Sequence, residues 1–204
     1  MPVNKGMITR NILRTDVFRI LKKTQNIKFV FLVLEDCIND FKKDFYGENI
    51  EIISIKKPQS SRLRSLYCKV VARNLVWTES SKIISFLGKD LNKKRNNFFY
   101  KAVFNTIGFL GKFKVIKNFF HLLEHSIFRE RDYDYIFKDK EADLVFLPDI
   151  HAGIDTVVAK AARHFGIKTI GMTRGWDSLC QRLLRALPDE LIVQNELVKD
   201  DAVN

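Results

Sequence analysis

The last third of the chain alternates strand and helix signals at short, regular spacing, and that rhythm restricts the fold more than any other feature. Leu144 to Leu147 (LVFL) reads as a strand stopped by Pro148, Asp155 to His164 (DTVVAKAARH) as a helix closed by Gly166, and Lys168 to Met172 (KTIGM) as a second strand. Ser178 to Leu184 reads as a short helix and Glu190 to Gln194 (ELIVQ) as a third strand. Strand, helix, strand, helix, strand with loops of a few residues is the pattern of βαβ units in a parallel sheet with helices on both faces. Ligands of such sheets collect at the carboxyl ends of the strands. Three segments hold that position: Pro148 to Ile154, Thr173 to Asp177, and Asn195 onward.

The first third supplies compatible elements. Ile27 to Leu34 (IKFVFLVL) is a continuous apolar run rich in β-branched and aromatic residues, the signature of a buried strand. Before it, Arg10 to Lys23 places Ile12, Leu13, Val17, Ile20 and Leu21 near helical spacing. After it, Asp36 to Tyr46 reads as a short helix ending at Gly47, and Asn49 to Ile55 (NIEIISI) as a second strand. A doubly wound domain normally opens with a strand feeding a first loop, here Asn4 to Gly6, yet Met1 to Val3 are all there is for it. The helix begun at Asn195 likewise has no room to finish packing. The expectation is one Rossmann-like domain over residues 1–204, truncated at both ends and part of a longer protein.

Charge marks out the middle. The chain carries 35 Lys+Arg against 24 Asp+Glu, a net charge of +11. Between Lys56 and Lys117 stand 15 basic residues and two acidic ones, Glu79 and Asp90, so this stretch alone exceeds the whole excess. From His151 to the end the charges cancel, seven against seven. Residues 56–128 therefore form a basic, aromatic-rich segment, with two to four helices expected from Gln59 onward. One helical face is expected to carry Phe109, Leu110, Phe113, Ile116, Phe119, Phe120 and Leu123. Basic residues such as Lys93, Lys94, Arg95, Lys112, Lys114 and Lys117, interleaved with these aromatics, suit an anionic membrane surface. A solvated helical face over ordinary core aromatics is the plain alternative. Nucleic acid is the less fitting partner, because no nucleic-acid module pattern occurs.

Other classes are excluded by composition. With 46% hydrophobic and 29% charged residues, nine glycines and four prolines, the chain is neither fibrous nor disordered. No apolar stretch approaches the roughly 18 residues of a membrane-spanning helix, and the first residues lack the apolar core of a secretion signal. Cys37, Cys68 and Cys180 are widely separated, without metal-ligand or disulfide spacing, and read as buried small apolar groups in a reducing, cytoplasmic setting.

Read together, NKGMITRNILRTDVF, GIKTIGMTRGWDSL and PDELIVQNELVKDDAV resemble segments of the amino-terminal half of bacterial GT-B glycosyltransferases. The likeness is narrower to surface-polysaccharide enzymes related to CDP-glycerol glycerophosphotransferases and UDP-N-acetylglucosamine 2-epimerases. It rests on Lys5-Gly6-Met7 after the first strand, Ala161 to Ile170, Gly175-Trp176-Asp177, and Asp189 to Ala202. These segments cover about a third of the chain, and the basic middle matches nothing in the family pattern. The resemblance implies two Rossmann-like domains, the first holding the acceptor and the second most of a UDP- or CDP-activated donor. It therefore implies no cofactor held by this chain, a missing carboxy-terminal donor domain as partner, and little activity from this chain alone.

Candidate site residues follow from position. Asn4, Lys5 and Gly6 lie in the first strand-to-helix loop, where glycine admits close backbone approach and lysine can neutralise phosphate; a solvated terminus is the alternative. His151, two residues after Asp149 at a strand end, is a candidate general base, since histidine titrates near neutrality; a surface hydrogen-bonding role is the alternative. Arg174, Gly175, Trp176 and Asp177 form the sharpest cluster: a planar donor fork for phosphate, a stacking face for a sugar or base, and a helix cap in Asp177. Packing and capping explain the same residues without a ligand. No metal site is expected. His121, His125 and His164 fall on predicted helices and read as structural.

The leading expectation is the acceptor-binding half of a transferase in cell-envelope polysaccharide synthesis. It would pass a sugar or polyol phosphate to a glycan or lipid-linked acceptor at the cytoplasmic face of the membrane. A non-catalytic basic domain binding membrane or nucleic acid, and an epimerase-like fragment acting on UDP-sugars, stand as alternatives.

Overall fold

The structure is a computed structural model, and it describes residues 1–3, 6–59, 61–68, 75, 106–128, 130–175, 179 and 183–203. It is an α/β protein. Strand β1 (Pro2–Val3) leads through a helical turn α1 (Gly6–Ile8) and a π-helical turn (Thr9–Leu13) to α2 (Asp16–Lys23). Strand β2 (Phe29–Leu34), helix α3 (Ile38–Asp44), β3 (Ile50–Ile55) and α4 (Arg62–Tyr67) follow. Beyond these come α5 (Lys114–Ile127), α6 (Asp134–Asp139), β4 (Leu144–Leu147), α7 (Gly153–His164), β5 (Lys168–Met172), β6 (Glu190–Ile192) and α8 (Glu196–Val203).

The strands form two three-stranded parallel sheets, ordered β1-β2-β3 and β4-β5-β6. Those orders are compatible with the two halves of a doubly wound sheet. The single sheet expected from sequence is thus divided, and no ladder joins β1 to β4 among the described residues. One hydrophobic cluster nevertheless bridges the halves. Leu32, Leu34 and Ile55 from the first sheet pack in the same core as Val145 and Leu147 from the second and Ile154, Val157 and Val158 of α7. The opposite face of the first sheet, with Phe31 and Val33, packs on Ile8, Leu13, Phe18 and Phe41. Alternate residues of β2 therefore enter different cores, and this is why its run is apolar throughout.

Helix α7 is the centre of this arrangement. It contacts β1, β4, β5 and α6, and its residues from Ile154 to Ala162 are all buried. Its end is a Schellman turn: Gly166, at φ 70°, donates to Arg163 O at 3.2 Å, and Ile167 donates to Ala162 O at 2.9 Å.

Two helices differ from expectation. The run Arg10–Lys23 is broken at Thr15, whose backbone is extended and whose Oγ1 donates to Ile12 O at 2.7 Å. The break resets the helical phase, so Phe18 turns inward onto Phe29, Phe31 and Phe45, while Val17, Ile20 and Leu21 are exposed. The stripe from Phe109 to Leu123 is likewise broken, by a turn at 111–113. Gly111 there lies against the Leu75 backbone, closer than a Cβ would allow, and α5 starts afresh at Lys114. Cys37 is exposed and Cys68 partly so, against the expectation of burial: Cys37 sits in the surface turn Glu35–Cys37, and Cys68 follows α4 beside Arg185. Cys180 and most of the helix expected at 178–184 lie outside the described residues, as does the bulk of the basic middle.

A Cβ at Gly171 in β5 would stand 2.8 Å from Ile150 Cδ1 and 2.9 Å from Pro188 Cγ. Gly171→Ala is expected to lose about 1–3 kcal/mol, because the loop above β4 must shift to accommodate it. Urea denaturation measures this loss.

Candidate functional site

The carboxyl ends of β4, β5 and β6 are stitched together. Ile150 N donates to Met172 O at 3.3 Å, and Thr173 N donates to Ile192 O at 3.2 Å. Gln194 Nε2 donates to Thr173 O at 2.6 Å, while Thr173 Oγ1 donates to Gln194 Oε1 at 2.8 Å. Pro148 ends β4, and the chain turns within five residues into α7, with Ala152 N donating to Asp149 O at 2.6 Å. Asp155 in the first turn of α7 reaches back to accept the Asp149 N–H at 3.0 Å. One carboxyl group thereby ties the loop to the helix start.

Asp149 is buried, and its Oδ2 lies 3.4 Å from Arg174 Nη1 on the neighbouring strand end. The Arg174 side chain is about half exposed, 48%, so the pair joins a fixed buried carboxylate to a guanidinium within reach of solvent. Such a fork suits a phosphate or carboxylate ligand. His151 stands half-buried between Asp149 and α7 in the same loop. Gly175 follows Arg174 and is partly buried. His151 thus stands in the loop after β4, and Arg174 and Gly175 in the loop after β5.

Gly6 opens α1 at the exit of β1, and a Cβ there would meet nothing within 4 Å among the described residues. Trp176 and Asp177 lie outside the described residues, as do Asn4 and Lys5 and the basic triplet Lys93, Lys94 and Arg95. Lys112 and Lys114 are exposed, and Lys117 is half-buried, its ammonium shifted down by burial and by Lys114. Lys112 Nζ sits 5.3 Å from the centre of the Phe109 ring. His121 and the backbone of His125 belong to α5, and His164 closes α7. The described residues contain no cluster of three or more His, Cys, Asp or Glu able to hold a metal ion, and no helix long and apolar enough to cross a membrane.

Asp155 is the component that sequence reading missed; an aspartate in a first helical turn reads as a capping residue. Burial pushes its carboxyl up to about 8, and the Asp149 carboxylate adds to that, against the Asp149 N–H bond and the Met1 amine, which lower it. The folded protein holds this proton where the unfolded chain releases it near pH 4. Stability from this group is therefore complete below about pH 4 and drains away as pH rises towards 8. Asp155→Asn keeps an acceptor for Asp149 N without the charge. Its stability relative to the wild type is expected to rise across that window, by a few kcal/mol in order of magnitude. Urea denaturation at the two ends of the window gives the difference.

No protein-family model matches the chain, and neither the curated proteins nor the solved structures contain a match.

Proposed function

We propose that this chain is the acceptor-side domain of a transferase in cell-envelope polysaccharide synthesis. It moves a sugar or polyol phosphate from a UDP- or CDP-activated donor to a glycan or lipid-linked acceptor. The observation that carries this reading is the Asp149–Arg174 pair beside His151, on adjacent parallel strand ends where α/β sheets bind ligands. In this reading His151 takes the proton from an acceptor hydroxyl. The oxygen attacks the activated carbon or phosphorus of the donor, and the nucleotide departs with the electron pair. Arg174, aligned by Asp149, holds an anionic group of the acceptor. The donor is held mainly by a second domain of the parent protein, and the GT-B resemblance of the segments around Gly6, Gly175 and Asp189 supports that arrangement.

Helix α5 supports work at a membrane surface. Val115, Phe119 and Leu122, spaced four and three residues apart, share one helical stripe and are 80%, 55% and 66% exposed. Phe109 and Phe113 just before the helix are exposed too, beside Lys112 and Lys114. The inner side of α5 packs elsewhere: Glu124 is buried, and Tyr67 of α4 donates to Phe120 O at 3.1 Å. An outward apolar stripe flanked by lysines fits an anionic lipid surface, with apolar side chains entering the headgroup region. The same observation favours the second reading, a domain that only attaches to the membrane.

Two measurements separate these readings. In flotation with phosphatidylserine vesicles, Phe119→Ser with Leu122→Ser is expected to weaken binding by at least about tenfold, from the apolar area lost. Unchanged flotation removes α5 as the lipid contact. In nucleotide-release assays on the full-length protein with a panel of donors and a lipid-linked acceptor extract, His151→Ala is expected to lower kcat by about 100-fold or more. Arg174→Ala is expected to raise the acceptor KM. Turnover indifferent to both substitutions, with flotation intact, supports the attachment domain and contradicts the transferase.

A further inference from the structure

A second polar centre lies away from the strand ends. Lys160, in the middle of an apolar helical run, is 2% exposed. Its Nζ donates to Glu124 Oε1 at 2.8 Å, to Phe128 O at 3.0 Å and to Glu124 O at 3.3 Å. Arg185, from the segment before β6, places Nε 3.6 Å from the same Glu124 oxygen, and its Nη1 donates to Cys68 Sγ at 3.4 Å. Arg185 Nη2 is buried without a hydrogen-bond partner among the described residues. One carboxylate is thus shared by two cations. Both belong to the half of α7, and to the loop, that face the amino ends of the strands, opposite the Asp149–Arg174 edge.

A half-open recess of about 30 Å³ lies over this centre. Its polar lining is His121, Lys160, Arg163 and Arg185, and no carboxylate lines it among the described residues. Glu124 Oε2 is buried without a hydrogen-bond partner among the described residues, and the other carboxylates nearby are turned to their own partners. Glu130 pairs with Arg64, Asp132 accepts the Gln59 N–H at 3.3 Å, and Asp189 accepts from Thr169 N at 2.7 Å and Thr169 Oγ1 at 2.9 Å. Burial lowers Lys160 and His121 from their ordinary values and brings Arg64 down to about 10, and the field of Arg185 adds to the lowering at Lys160 and Arg64. Buried like charges with too little counter-charge are costly. An anion in the recess would relieve that cost.

We infer that the recess between α5, α7 and the 185–187 segment is a binding site for one small oxyanion, a phosphate or the phosphoryl end of a monoester. Arg185 and Arg163 supply charge-assisted hydrogen bonds, His121 closes one side, and Lys160 with Glu124 fixes the floor. The volume suits about two waters or the head of one such anion and is far too small for a nucleotide. This site is independent of the transfer reaction proposed above.

The test titrates the 204-residue chain with inorganic phosphate against chloride at equal ionic strength, reading calorimetric binding and the rise in Tm that ligand linkage requires. Saturable one-to-one binding is expected. Arg163→Gln, at the exposed rim, is expected to fold normally and to bind about tenfold more weakly, and Arg185→Gln more weakly still. Should Arg185→Gln fail to fold, the Arg163→Gln result decides alone. Glycerol phosphate replaces inorganic phosphate in a parallel titration: retained binding assigns a monoester and lost binding a free anion, either of which supports the site. Absence of saturable phosphate binding overturns the inference. So does binding that is unchanged in Arg163→Gln, or that is abolished by Arg174→Ala instead, which would place the anion at the strand ends.

Discussion

Burial of α7 on every side is the constraint from which the rest of the molecule follows. Nine consecutive residues, Ile154 to Ala162, have lost contact with solvent, and a helix buried all round must be covered by several elements at once. Here β4 and β5, β1 and α6 supply that cover. Ile154, Val157 and Val158 join a cluster that includes Leu32 and Leu34 of one half-sheet and Val145 and Leu147 of the other. Removing apolar area of this kind from water stabilises by about 1.5–3 kcal/mol per large side chain. The two short sheets thus cohere through a shared helix in place of a shared ladder.

A fully buried helix can carry polar groups only where each has an assigned partner. In α7 Thr156 Oγ1 donates to Ala152 O at 3.0 Å, and the ionisable groups are Asp155 near the start and Lys160 five residues on, about 7.5 Å apart along the axis. Asp155 holds the Asp149 backbone and so shapes the edge where Arg174 and His151 meet. Lys160 is clamped by Glu124 and Phe128 O and so binds α5 to α7. One packing requirement therefore organises both polar centres, at opposite ends of the strands.

The fold was legible where the pattern was continuous. LVFL and IKFVFLVL contain little but strand-forming apolar residues, KTIGM stands between two helix signals, and β2, β4 and β5 stand within those runs. Gly166 as a helix stop was equally plain, because a positive φ beside a helix end favours glycine. Helix phase was harder to read. Thr15 and Gly111 each break a run whose spacing looks helical, and the breaks follow from a side chain bonding back to Ile12 and a close approach to Leu75, neither written in the periodicity. Helix α6 was missed, being six residues long and anchored from outside by Tyr133 OH donating to Lys56 O at 2.6 Å. His151 and Arg174 were legible because strand ends are predictable positions. The Lys160–Glu124–Arg185 centre was not, since its members are 36 and 61 positions apart in sequence order from Glu124. The one local signal was a lysine set among valines and alanines.

Hydrogen exchange of the full chain, resolved by residue and followed with added denaturant, tests the shared-helix account most directly. Amides of Phe31 to Leu34 in β2, Val145 to Leu147 in β4 and Val157 to Ala162 in α7 are predicted to open in one cooperative event, with the same free energy and the same denaturant dependence. Exchange of the first half-sheet at a free energy separate from that of α7 and the second half-sheet would show two independent units, contradicting a common core.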